Sequence, residues 1–142
     1  FHKAHSILCL QHKKAVLCEK PFAMNAEEVK EMITVAKENN VLLMEALWTY
    51  FLPNYKYVLD VFRSKTFGEL KELKADFGFQ PEYNVEGRLL KKEVGGGSLL
   101  DIGIYPIFAA LSTLGMPNTI DAKAIPISYS SFITLVNSAN CK

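Results

Sequence analysis

The sequence predicts an α/β fold in two parts: a parallel βαβ layer first, then the start of an α+β region whose sheet has one wet face. Three observations carry this reading. Residues 15–18 and 41–44 are short continuous apolar runs, an amphipathic helical pattern lies between them, and residues 70–79 alternate loosely. An uninterrupted apolar run marks a strand covered on both faces, whereas alternation marks one with a face in water. Strand, helix and strand with tight connections form a βαβ unit, hence parallel strands with a right-handed crossover. We place the boundary within residues 45–55, giving a first domain over 1–48, a second over 49–124 and an atypical tail over 125–142.

Taken in order, residues 2–13 read as a helix with Ile7, Leu8 and Leu10 apolar, and with His12, Lys13 and Lys14 where cations suit the dipole. Ala15-Val16-Leu17-Cys18 is the first strand, stopped by Glu19-Lys20-Pro21 because proline has no N–H and drives Lys20 toward extended geometry. Asn25 caps the next helix, with Glu28 three residues on in a capping-box arrangement. Val29, Met32, Ile33 and Ala36 form its apolar face, and Asn39-Asn40 suits its stop. Val41-Leu42-Leu43-Met44 is the second buried strand. After Pro53, the spacing of Tyr57, Val58, Val61 and Phe62 predicts a helix ending near residues 65–68. In the alternating strand, Leu73, Ala75, Phe77 and Phe79 oppose Glu72 and Lys74. Residues 80–97 read as a long loop and 98–114 as a helix with few polar residues, ended by Gly115-Met116-Pro117. Residues 125–142 do not look like further sheet strands.

The bulk properties exclude several function classes. With 142 residues the chain suits one ordinary domain or parts of two, and 49% apolar with 22% charged residues is the balance of a globular protein. A net charge of +1 gives no basic field for nucleic acid. No run approaches the roughly 18 apolar residues of a membrane helix, so no membrane partner is expected. The opening Phe1-His2-Lys3-Ala4-His5 is not a signal peptide. Because the chain begins at Phe1 without an initiator Met, we expect it to be the middle stretch of a longer protein. Cys9, Cys18 and Cys141 form neither a disulfide framework nor a zinc pattern, and no metal site is expected. Read as reduced thiols, two of them buried, they point to a cytoplasmic location.

Two places could carry chemistry. Lys20, between Glu19 and Pro21, stands at the C-terminal end of a parallel strand, the edge where open α/β sheets take ligands. A lone lysine in a turn is more often simply exposed, but the proline fixes the turn and aims the side chain. The second place is Gly95-Gly96-Gly97-Ser98-Leu99-Leu100-Asp101-Ile102-Gly103-Ile104-Tyr105. Asp101 and Tyr105, four apart, share one helix face, and the glycine run permits close backbone approach to a ligand. Ser98-x-x-Asp101 is equally a capping box, and Tyr105 equally a half-buried tyrosine with a satisfied hydroxyl. Neither the dinucleotide pattern, whose third glycine falls on Leu100, nor the P-loop pattern fits.

Val16-Leu17-Cys18-Glu19-Lys20-Pro21, then Met44-Glu45-Ala46-Leu47-Trp48-Thr49, then Gly96 through Tyr105 resembles, in order and spacing, the Gfo/Idh/MocA oxidoreductases. The likeness runs from Phe1 to about residue 124 and is greatest to the branch of dimeric dihydrodiol and D-xylose dehydrogenases. It implies the C-terminal part of a Rossmann domain followed by the start of a second domain with a mostly antiparallel open sheet. It implies Lys20 as a catalytic lysine, with Glu19, Lys20 and Pro21 against the nicotinamide of NAD or NADP and a cis peptide before Pro21. Asp101 and Tyr105 match the acidic and acid/base positions. Trp48 and Phe77 match aromatic residues lining the substrate pocket beside Asp101, although Phe77 is as readily a core residue. Tyr50 stands where that branch often carries Arg, which leaves substrate preference open. The resemblance implies a sugar, polyol or diol substrate and a homodimer.

Oxidising an alcohol needs a base for the hydroxyl proton and a hydride acceptor beside the carbon. A phenol holds its proton at neutral pH, and a nearby ammonium favours the phenolate. Tyr105 is thus expected to take the proton, Lys20 to polarise the substrate oxygen and activate Tyr105, and Asp101 to orient the lysine or a second hydroxyl. Two alternatives stand beside this: a non-catalytic nucleotide- or sugar-sensing regulator of the same fold, and an inactive fragment without the Gly-rich cofactor motif.

Overall fold

A computed structural model describes residues 1–79, 82, 84, 86–118, 120 and 130–136, the last stretch by its backbone alone. Cys141 and the other residues of the tail outside 130–136 lie beyond the described residues. The chain divides into two compact units, Phe1–Trp48 and Thr49–Lys142.

The first unit has the elements α1 (His2–Gln11), β1 (Val16–Cys18), α2 (Ala26–Asn39) and β2 (Leu43–Glu45). β1 and β2 pair in parallel with Val16 opposite Leu43 and Cys18 opposite Glu45, as a βαβ unit requires. Asn25 is extended and its side chain accepts from Glu28 N–H at 2.9 Å, while the Glu28 carboxylate reaches back to Met24 N–H at 3.1 Å. The N-terminus of α2 is therefore tied down reciprocally, one residue further back than a standard capping box. Asn40, left-handed at φ 52°, ends α2, and its N–H is taken up by the last turn. α1 and α2 pack together around Leu10 and Met32, both fully buried. Each such side chain contributes about 1.5–3 kcal/mol of apolar burial.

One expectation fails here. The strands are not covered on both faces: Val16 and Cys18 turn toward the helices, while Leu17 is 63% exposed and its partner Met44 39%. An apolar run reports only that both faces can accept apolar cover, and the two helices of this unit cover one. Of the cysteines, Cys18 is buried but Cys9 is exposed on α1.

The second unit opens with a 3-10 turn, Trp48–Phe51, begun at the boundary residue, and continues with α3 (Pro53–Arg63) and β3 (Glu72–Gly78). Pro53 occupies the first turn of α3, where its missing N–H costs nothing. The face of α3 that packs is not centred on Tyr57 and Val58, which are exposed, but on Leu59, 3% exposed, with Tyr55 half-buried. Tyr55 donates to Ser112 Oγ at 2.5 Å, and Ser112 donates to Phe108 C=O at 2.7 Å. The Tyr55 ring stacks on Phe108, so one polar link and one ring pair dock α3 on the last helix.

Within residues 80–97 the described part is structured: a turn over 86–90 and a 3-10 turn, Lys92–Val94. The helix that follows begins as a π turn, Leu99–Gly103, and becomes α-helical as α4 (Ile104–Leu114). Pro106 explains the change. It cannot donate to Ile102 C=O four residues back, and its ring crowds that carbonyl, so the turn ahead of it widens. The glycine at 103 offers no Cβ against the wider turn.

The tail also departs from expectation. Residues Ser130–Val136 form β4, antiparallel to β3 with Glu72 opposite Val136 and Gly78 opposite Ser130. Ile133, Thr134 and Val136 are β-branched, and such residues favour strands. Finally, the 23-residue stretch Lys92–Leu114 is long and apolar enough to cross a membrane by length and composition, contrary to the reading of apolar runs alone. Its apolar side has another use in this fold: Ile102, Pro106 and Ala110 are buried, and α4 packs on β3.

Candidate active site

The turn that carries Lys20 leaves β1 at its C-terminal end. The strand ladder closes with Ala46 N–H donating to Cys18 C=O at 2.7 Å, and the chain then folds back through a cis Lys20–Pro21 peptide. The cis bond implied by the family resemblance is therefore present. Glu19 is exposed and its carboxylate accepts from Lys20 N–H at 3.3 Å. The His2 ring donates from Nδ1 to Pro21 C=O at 2.7 Å. Phe22 N–H donates to Glu45 Oε1 at 3.0 Å. Lys20 itself is half-buried on this turn.

Glu45 is the one charged residue of β2, and burial pushes its carboxyl above the usual range, opposed by the Phe22 N–H bond. The sign of the resulting linkage is fixed. When a carboxyl is harder to ionise in the folded state, that state binds more protons, so stability falls as pH rises from the ordinary carboxylate value through the raised one. Glu45→Gln keeps an acceptor for Phe22 without a buried charge. Its melting temperature is expected to equal or exceed that of the native protein at neutral pH, with the gap shrinking on acidification through the carboxylate range. Thermal melts across that range check this, and a Gln variant less stable at neutral than at acid pH, relative to the native protein, contradicts it.

In the second unit, Phe77 near the end of β3 meets Tyr105 of α4 edge-on, ring centroids 5.4 Å apart. Phe77 is 44% exposed. Asp101 lies in the π turn and is 7% exposed. Its carboxylate faces the Arg88 guanidinium at 3.5 Å. Ser98 already has helical geometry and gives no side-chain cap to the π turn. Trp48 opens the 3-10 turn and is 56% exposed. Thus Asp101, Tyr105 and Phe77 belong to one unit and Glu19, Lys20 and Pro21 to the other.

Gly96 of the glycine run packs against the chain itself. A Cβ on Gly96 would lie 2.6 Å from Arg88 O and 2.7 Å from Lys91 N. Gly96 N–H and Gly97 N–H bond Lys91 C=O and Leu89 C=O at 3.0 and 2.7 Å. The close approach is thus to the chain's own 86–91 turn, which presents Arg88 to Asp101. Arg88, Glu45 and His2 were not singled out from the sequence. An acid ending an apolar strand was the available signal for Glu45, whereas nothing local marked Arg88.

Beside β2, a groove of about 600 Å³ runs from Asn40 to Glu45 and meets the strand-end turn at Phe22. It lies along the flank of the strand rather than at its C-terminal edge. No Gly-rich phosphate cradle occurs in this chain. Among the described residues there is no cluster of ligands for a metal ion.

Residues 1–47 match a family model described as an oxidoreductase family with an NAD-binding Rossmann fold, GFO/IDH/MocA, and residues 55–130 match the GFO/IDH/MocA C-terminal domain. The chain is 47% identical over 104 residues to a trans-1,2-dihydrobenzene-1,2-diol dehydrogenase of Xenopus laevis, covering 73% of this chain and 31% of that protein. It is 38% identical over 133 residues to a scyllo-inositol 2-dehydrogenase (NADP(+)) of Bacillus subtilis (strain 168), covering 89% of this chain and 40% of that one. Among solved structures, the 3-ketoreductase KijD10 of Actinomadura kijaniata, in complex with NADP and TDP-benzene, superposes with a TM-score of 0.71 at 33% identity, over 80% of this chain and 35% of the other. An aldose-aldose oxidoreductase of Caulobacter crescentus complexed with glycerol gives 0.74 at 27%, over 80% and 34%.

Proposed function

The chain belongs to the Gfo/Idh/MocA oxidoreductase family, and from that premise we propose that the protein carrying it moves a hydride between NAD or NADP and a hydroxyl-bearing carbon of a sugar, polyol or diol. The observation that carries the reading is the placement of Lys20 on a strand-end turn at the ligand edge of a parallel pair. Relatives named as diol and inositol dehydrogenases support the substrate class. The cofactor, when bound, supplies the hydride acceptor. The chain's own residues do the rest in this account. Tyr105 removes the hydroxyl proton, with its ring orientation set by Phe77. Lys20 polarises the reacting oxygen. Asp101, with Arg88 against it, orients a second hydroxyl. Trp48 offers an exposed ring to the substrate. A cytoplasmic homodimer completes the proposal.

The test is to supply the native protein with NAD or NADP and, separately, cyclic trans-diols, inositols, xylose and glucose, following reduced nicotinamide by absorbance. Reduction with at least one of these classes is expected. Saturable sugar binding without any turnover would instead identify a sensor.

A further inference from the structure

The turn between β1 and α2 leaves the strand ladder and therefore must find partners for its own backbone groups. Among the backbone polar groups of residues 20–22 are Lys20 N–H, Pro21 C=O, Phe22 N–H and Phe22 C=O, and proline contributes no donor. Side chains meet each of them: Glu19 takes Lys20 N–H, His2 of α1 donates to Pro21 C=O, Glu45 of β2 takes Phe22 N–H, and Cys18 Sγ approaches Phe22 C=O at 3.7 Å. Of these, the Glu45 bond is the charge-assisted one made from a neighbouring strand, and such bonds are the stronger kind. It ties the residue two places after Lys20 to the end of β2, whose backbone is fixed by the parallel ladder.

We propose that Glu45 is a positioning residue for Lys20: by holding Phe22 N–H it fixes the height and direction of the Lys20 turn over the strand ends. This rests on the function proposed above for Lys20. It also gives a reason for an acid in a half-buried position where burial opposes its charge. A surface acid would not face that opposition, and an apolar residue would suit the groove better.

The experiment uses the native protein with Glu45→Ala, Glu45→Gln and Glu45→Asp, reading Phe22 amide hydrogen exchange, kcat, and KM for the cofactor. In Glu45→Ala, exchange at Phe22 should accelerate about tenfold or more and kcat should fall about 10- to 100-fold, with cofactor KM within about threefold, since a displacement near 1 Å has that cost. Glu45→Gln, which keeps the acceptor, should restore both to within about threefold of native. Glu45→Asp, shorter by one methylene, should fall between, and it carries the comparison where the Ala variant does not fold. Unchanged Phe22 exchange in the variants lacking reach overturns the proposal. So does unchanged kcat, or a Gln variant as impaired as Ala. Because the exchange is read without turnover, loss of the clamp is separable from a failure of the proposed chemistry, which Lys20→Met reports on its own.

Discussion

Tyr105→Phe is expected to lower kcat by about 10²- to 10⁴-fold, the usual contribution of a positioned acid or base. The substitution removes one hydroxyl and keeps the ring, so the edge-on contact with Phe77 survives and the fold should be undisturbed. Substrate KM should change little, because the proton is transferred in the transition state rather than in the ground-state complex. Steady-state kinetics with the best diol or sugar, together with a thermal melt, decide the matter. A Phe variant with native kcat would remove Tyr105 from the chemistry and leave it as a packing residue.

Lys20→Met carries the second large effect, a fall in kcat of about 10²- to 10³-fold, the scale of losing one charge-stabilising donor at a reacting oxygen. Methionine keeps an unbranched stem of similar length and loses the ammonium. The turn itself should persist, since the backbone at Pro21 and Phe22 is held by His2 and Glu45. Exchange at the Phe22 amide should therefore match the native protein, which separates loss of charge from loss of the turn.

Much of the backbone was legible because local rules agreed with one another. The α2 helix announced its start through Asn25 and Glu28 and its end through Asn40, and the structure places each in that role. The parallel pairing of β1 and β2 followed from the strand, helix and strand pattern with tight connections. What was hidden depended on partners distant in sequence. Exposure of Leu17 and Met44 reflects which faces the helices cover, a quantity absent from an apolar run. The π turn at Leu99–Gly103 follows from Pro106, which stands well inside the expected 98–114 helix and has no N–H for Ile102 C=O, a point the apolar pattern alone does not register. Within the glycine run, Gly96 packs on the 86–91 turn that brings Arg88 to Asp101, a contact between segments that no local pattern marked. The strand at Ser130–Val136 was missed because its partner β3 lies more than fifty residues earlier, and β-propensity alone is a weak signal.

The lysine and the tyrosine are assigned here to one reacting oxygen, and a double-mutant cycle measures that directly. If they act as a unit, Lys20→Met combined with Tyr105→Phe should lose about as much kcat/KM as the more damaging single change, a coupling of roughly 1–3 kcal/mol or more. Losses that simply multiply, with coupling below about 0.5 kcal/mol, would mean that the two side chains work independently and that the shared acid–base assignment is wrong.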